Sequence, residues 1–178
     1  MNPGPQDSVN AASAAVKERL SIEEFTTHYA GQPYELVRGK LLKVPPYHHR
    51  DHAQAVAMTS YLLGNHVLEN QLGEVLSGEV GVITDAQNAS MRGVDVVVIS
   101  QKRLAENDPT SQWITIAPEL VIEVTEPSNT FDDMMDKVDE YFALGVEAVW
   151  ILDPSHQLVL AYSSPKTVTV LKARDGDA

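Results

Sequence analysis

The sequence predicts an α/β domain in which a mixed β-sheet is flanked by helices. Three observations carry that prediction. Short, strongly apolar stretches such as "VDVVVIS" (94–100), "LVIEV" (120–124) and "EAVWILDP" (147–154) read as buried strands. Two longer segments, 51–70 and 131–144, carry apolar residues at helical spacing. The order of helix, strands, helix, strands, helix and strands is that of a layered mixed sheet.

Each element has its own justification. Residues 1–19 are polar, with Pro and Gly at the start and no basic stretch leading into an apolar one, so they read as a flexible tail and not a signal peptide. Residues 20–174 form a single domain on this reading. Ser21 with Glu24 three residues on resembles a capping box and predicts a helix over about 21–29. "YELVRGKLLKV" (34–44) predicts a hairpin turning at Arg38-Gly39, with Tyr34, Leu36, Leu41 and Val44 packing inward. Pro45-Pro46 stops it, and "YHHR" is a loop. Asp51 is the expected cap of the helix over 51–70, whose apolar stripe is Ala55, Met58, Leu62, Leu63 and Val67. "EVLSGEVGVITD" (74–85) predicts two short strands around Ser77-Gly78, and "QKRLAEND" (101–108) a polar helix or loop. In the helix over 131–144, Phe131, Met134, Val138, Tyr141 and Phe142 form one stripe, and Gly145 supplies the C-terminal turn. "QLVLAYSS" and "KTVTVLKA" close the chain as a hairpin.

Composition narrows the function. The 178 residues, 43% hydrophobic and 21% charged, suit an ordinary globular protein. The absence of cysteine excludes disulfides, thiolate zinc sites and a cysteine nucleophile, and fits a cytoplasmic location. No apolar run approaches the roughly 20 residues of a membrane span. A net charge of −12 argues against a nonspecific nucleic-acid coat. Charge distribution says more than the sum. Arg38, Lys40, Lys43 and Arg50 follow one another with no acid between, whereas residues 119–147 carry nine carboxylates against Lys137 alone. A local basic surface beside an acidic region and plain solvated faces both fit this pattern.

Two acids break the burial rule. Asp95 lies inside "GVDVVVI" and Glu123 inside "LVIEV", where a carboxylate must be desolvated at several kcal/mol unless compensated (roughly, for one ion). Each alone could be a satisfied buried acid paired with Arg92. Two core strands breaking the same rule points to a functional site, at which neighbouring carboxylates bind a hard cation such as Mg²⁺ through oxygen. Glu35 in the first hairpin is either a further ligand or an exposed strand residue. Lys137 follows Asp133 by one helical turn and alone reads as half of a surface ion pair. His48, His49 and His52 are clustered, and imidazole is a common metal ligand, but spacing across a loop fixes no geometry. No Gly-Lys phosphate loop, nucleophile elbow or His-Glu-x-x-His helix occurs.

"YELVRGKLLKVPP" with His52, "RGVDVVVI" and "PELVIEVTEPSNTFDDMMDKVDEYFALGVEAVWILDP" together resemble the Uma-two family of endonucleases, over residues 20–165 or so. The resemblance implies a restriction-endonuclease-like fold of the PD-(D/E)xK nuclease superfamily. It implies that Asp95 is the aspartate of the Pro-Asp motif and Glu123 the second acid. It further implies that Glu35 and His52 match the family's hairpin glutamate and the histidine before its long helix. The superfamily's lysine, two residues after the second acid, would here be Thr125; the family resemblance instead assigns that part to Lys137, with Asp133 one turn before and Tyr141 one turn after. Val94 replaces the usual proline, and Glu126 stands where serine is common.

The implied chemistry is phosphodiester hydrolysis of DNA with Mg²⁺ or Mn²⁺ on Asp95, Glu123 and Glu35. Lys137 would stabilise the transition state, and Arg38, Lys40, Lys43 and Arg50 would contact phosphates. A homodimer suits cutting both strands. The alternatives are a silent nuclease-fold interaction domain and a hydrolase of RNA or another phosphate ester.

Overall fold

The computed structural model describes residues 19–173. The expected tail over 1–19 lies outside them except for Arg19. That residue is anchored: its guanidinium donates to the Arg38 carbonyl at 2.9 and 3.1 Å.

The first helix, α1 (Ile22–His28), begins on the expected capping box: Ser21 Oγ accepts from Glu24 N at 3.1 Å and the Glu24 carboxylate accepts from Ser21 N at 2.9 Å. Strands β1 (Tyr34–Val37) and β2 (Lys40–Lys43) pair antiparallel, Leu36 opposite Leu41. Arg38 and Gly39 between them have φ of +50° and +77°, the left-handed pair that a two-residue mirror-image turn demands.

Helix α2 (Arg50–Glu69) departs from expectation twice. The helix starts one residue early, so His49 is its N-cap with no side-chain cap bond, and Asp51 lies in the first turn, paired with Arg50 at 3.0 Å. Of its expected stripe only Val67 is buried; Met58 and Leu62 face outward, 50% and 61% exposed. The predicted pair of strands over 74–85 is one strand, β3 (Gly73–Asp85). Gly78 and Glu79, with φ of +95° and +59°, form a bulge in it and not a turn, so the pairing with β4 (Ser90–Ser100) resumes beyond them.

The remaining elements are α3 (Gln101–Leu104), β5 (Leu120–Val124), α4 (Phe131–Leu144), β6 (Ala148–Asp153), β7 (Leu158–Ser164) and β8 (Thr167–Lys172). Thr130 and Asp133 form a capping box at the start of α4, and Gly145, at φ +107°, ends it. Met134, Val138 and Tyr141 of the α4 stripe are buried, but Phe131, in the first turn, is 70% exposed. The eight strands form one mixed sheet in the order β2-β1-β4-β5-β6-β7-β8, with β3 also on β4; the β5–β6 pair is parallel. The main core joins Val97, Ile99, Val121 and Val149 of the sheet to Met134, Val138 and Tyr141 of α4. A smaller cluster holds Phe25, Leu36 and Met91.

One detail of this topology positions everything that follows. β3 pairs with β4 along its whole length and so takes one edge of it. The other edge is shared: β1 meets β4 at Met91, and β5 meets it at Val96–Val98. The sheet is therefore split between Arg92 and Asp95, in the middle of its most buried strand. Backbone groups at a split must find other partners. Gly93 N donates to the Glu35 carboxylate at 3.2 Å, and Val124 N donates to the Asp95 carboxylate at 2.7 Å.

Candidate active site

The register Val96↔Ile122, continued one step, sets Asp95 directly opposite Glu123, and opposed residues of an antiparallel pair share a face. The two rule-breaking acids thus reach one narrow cleft, which Glu35, His48, His52, Glu79, Glu126 and Lys137 also line. Asp95, Glu123 and Glu35 are each 5% exposed.

Lys137, on α4, extends to Glu123, its Nζ 3.1 Å from both carboxylate oxygens and 3.5 Å from Glu35 Oε1. Tyr141, one turn on, donates its hydroxyl to Glu123 Oε1. Asp133, one turn earlier, is committed to the cap, accepting from Thr130, so Lys137 pairs with the sheet and not with its helical neighbour. Arg92 does not pair with Asp95 or Glu123. It bridges Glu35 at 2.9 Å and Glu140 at 2.7 Å, and Thr84 donates to the same Glu140 carboxylate. Its partners come from β1 and α4, which the linear sequence separates by about 50 residues or more on either side of Arg92.

Burial pushes the Glu123 carboxyl up to about 7; the Lys137 ammonium pulls it down and the Asp95 charge pushes it further up. Desolvation opposes the charge on Lys137, but Glu123 and Glu35 outweigh it and hold the ammonium above its ordinary value. Burial and the Glu123 charge raise Tyr141, which stays a phenol and a donor. Burial likewise works against a charged His52, whose Nε2 faces Asp95 Oδ1 at 3.2 Å; the hydrogen bond and charge of Asp95 prevail and raise it.

Two residues at the site broke no local rule and escaped the sequence reading. Glu79 is delivered by the β3 bulge, and a Cβ on Gly93 would lie 2.3 Å from its Oε2, so that glycine is the cradle for the carboxylate. Burial and Asp95 raise its pKa. Arg19 joins Arg38, Lys40 and Lys43 along a groove of about 980 Å³ that runs on to Glu35 and Lys137. The opposite wall, from α4, carries Asp133 and Asp136. Arg50 lies outside this groove, on Asp51.

The donor chemistry of the acidic set suits a hard divalent cation: its donors are all oxygen and they are buried. Among the described residues, the ligand atoms that lie within 4.8 Å of one another belong instead to His48, His52 and Glu126. The centre is a mixed sheet split at two opposed carboxylates, with a lysine and a tyrosine from α4 on one of them. The fold is similar to a crystal structure described as "a putative nuclease belonging to DUF820 from Anabaena variabilis", with a TM-score of 0.75 and 17% identity, covering 88% of this chain and 87% of that one. The Uma-two family, described as "Putative restriction endonuclease", matches residues 22–176, and the chain belongs to that family. No curated protein matches it.

Proposed function

We propose that this protein is a divalent-metal-dependent endonuclease that hydrolyses phosphodiester bonds of DNA. The observation that carries the reading is the opposition of Asp95 and Glu123 across the split sheet, with Lys137 on Glu123, at the end of a groove walled by basic residues.

Asp95, Glu123 and, at the margin, Glu35 would hold Mg²⁺ or Mn²⁺. Such an ion supplies Lewis-acid charge to the phosphate and makes water a better nucleophile. Each residue has a distinct part. Val124 N and His52 fix the two oxygens of Asp95, so its carboxylate cannot rotate away. Tyr141, donating to its Oε1, orients Glu123. Glu35 is already bonded to Arg92 and Gly93 N, which suits anchoring the site better than donating both oxygens to an ion. Lys137, now the counter-ion of Glu123, would serve as donor toward the transition-state oxygens. Arg19, Arg38, Lys40 and Lys43 position the phosphate backbone without reading sequence. A homodimer would suit cleavage of both strands, and sedimentation would test it. A cytoplasmic location belongs to the same reading. Among the described residues no helix is long and apolar enough to cross a membrane.

The test is a cleavage panel: purified protein with Mg²⁺, Mn²⁺ or Ca²⁺ against supercoiled, linear and single-stranded DNA and RNA. Cleavage of DNA that chelation abolishes, and that Glu123→Gln loses, is the expected result. Metal-dependent cleavage of RNA alone would move the reading to a ribonuclease, and no cleavage of any substrate would make the protein a silent domain.

A further inference from the structure

His48 has a problem that its neighbours do not solve. Its Nδ1 lies 3.1 Å from Glu126 Oε1 and its Nε2 lies 3.1 Å from Glu79 Oε1. A neutral imidazole offers one N–H and one lone pair. If Nε2–H donates to Glu79, the Nδ1 lone pair faces a carboxylate lone pair, a contact that repels unless something positive lies between. His52 stacks on this ring, centroids 4.3 Å apart and planes at 11°, with its own Nε2 on Asp95, so Nδ1 is the nitrogen left for a ligand. One ring nitrogen of each histidine and a carboxylate oxygen of Glu126 lie within 4.8 Å of one another.

We propose that His48, His52 and Glu126 form a second cation site, for a transition metal such as Zn²⁺ or Co²⁺, on the wall of the same cleft. Two imidazoles and one carboxylate are a donor set that zinc and its neighbours accept and that Mg²⁺ does not favour. The outer contacts are also in place. Ligating histidines give their other ring N–H to a carboxylate, which here are Glu79 for His48 and Asp95 for His52. Glu126 is held by His49 N at 2.9 Å, so this third histidine contributes its backbone and not its ring. Parallel rings aim their lone pairs side by side, so the ion requires the imidazoles to tilt toward it. His48, on the loop before α2 and one-third exposed at its side chain, can supply that movement. The second site adjoins the proposed nuclease site through the His52–Asp95 contact but shares none of the ligands Asp95, Glu123 and Glu35 with it.

Co²⁺ titration of the full chain, followed by visible absorption, tests it. The expected result is a set of d–d bands saturating at one ion, displaced by Zn²⁺ and untouched by millimolar Mg²⁺. They should vanish in His48→Ala and in Glu126→Ser, and persist in Glu123→Gln. Glu79→Gln should weaken the affinity by about tenfold or more, as removal of an outer-shell partner does. Thermal melts of the metal-free variants check that each folds; His48→Gln and Glu126→Gln replace any that does not. Bands that survive both ligand substitutions, or that disappear in Glu123→Gln alone, would place the ion in the acidic site and overturn the proposal. No bands in the wild type would mean that a proton alone fills the gap, and would overturn it equally.

Discussion

Glu123 shows how one residue couples folding to function. It is buried in a strand, and its carboxyl is raised from 4.5 to about 7. Between those values the unfolded chain has released the proton that the native state still holds, so stability falls as pH rises through that window and then levels off. His52 adds to the same trend: its pKa is raised above 6.5, so the stability it contributes below 6.5 is lost as pH rises through the folded value. Metal-free protein should therefore melt at progressively lower temperature from roughly pH 5 to 8. Glu123→Gln should flatten that dependence, keep or raise the melting temperature, and weaken Mn²⁺ binding by more than about tenfold. Calorimetric titration and melts in a chelator read both. Lys137→Ala acts the other way. It leaves Glu123 without its counter-ion, at a cost of about 3–5 kcal/mol in the absence of metal. Urea unfolding should show most of that stability recovered by Mn²⁺, while cleavage stays abolished.

Among the elements, α4 carries the site into register with the sheet. Its first turn is fixed by the Thr130–Asp133 box and its end by Gly145, so Lys137 and Tyr141 arrive over Glu123 at a set height. Thr130→Ala should cost about 0.5–2 kcal/mol of stability. It should lower the cleavage rate with little change in metal affinity, because it moves Lys137 and not the carboxylates. Denaturant melts and Mn²⁺ titration separate the two effects; an unchanged rate would show that the cap matters to the fold alone. The Ser21–Glu24 cap was legible in the sequence because its chemistry is confined to four adjacent residues, whereas Asp51, expected to cap α2, lies inside its first turn. The β3 bulge was not legible. Ser77-Gly78 carries a turn signal, and only the long partner strand β4, running on past it, decides that the chain bulges and continues.

The charge pattern matters at the scale of the whole molecule. The protein is net negative, −12, yet Arg19, Arg38, Lys40 and Lys43 line one wall of a groove while α4 presents acids on the other. On the proposed function, phosphates would approach along the hairpin wall. Replacing Lys40 and Lys43 with alanine should weaken DNA binding across sequences. It should also reduce the slope of log affinity against log salt by about one for each phosphate left without its lysine. Titrations in Ca²⁺ at several salt concentrations measure it, and an unchanged slope would return these residues to ordinary surface. Arg50→Ala should leave the slope as it is, since Arg50 sits on Asp51 outside the groove.

Asp95 and Glu123 announced themselves in the sequence because a carboxylate among valines breaks a burial rule within a five-residue window. The alternation of strands with amphipathic helices determined the layered α/β architecture in the same local way. The family resemblance singled out Glu35, His52, Asp133, Lys137 and Tyr141; the structure brings Glu35, His52 and Lys137 to the cleft and Tyr141 onto Glu123, and holds Asp133 in the helix cap. Local pattern could not say which charges meet. Arg92 pairs with Glu35 and Glu140 and not with the strand acids, Glu79 enters through a bulge, and Arg19 folds back onto the hairpin turn. Those interactions join residues far apart along the chain, so their energy depends on register, twist and helix docking. Sequence spacing encodes none of these until the sheet has formed.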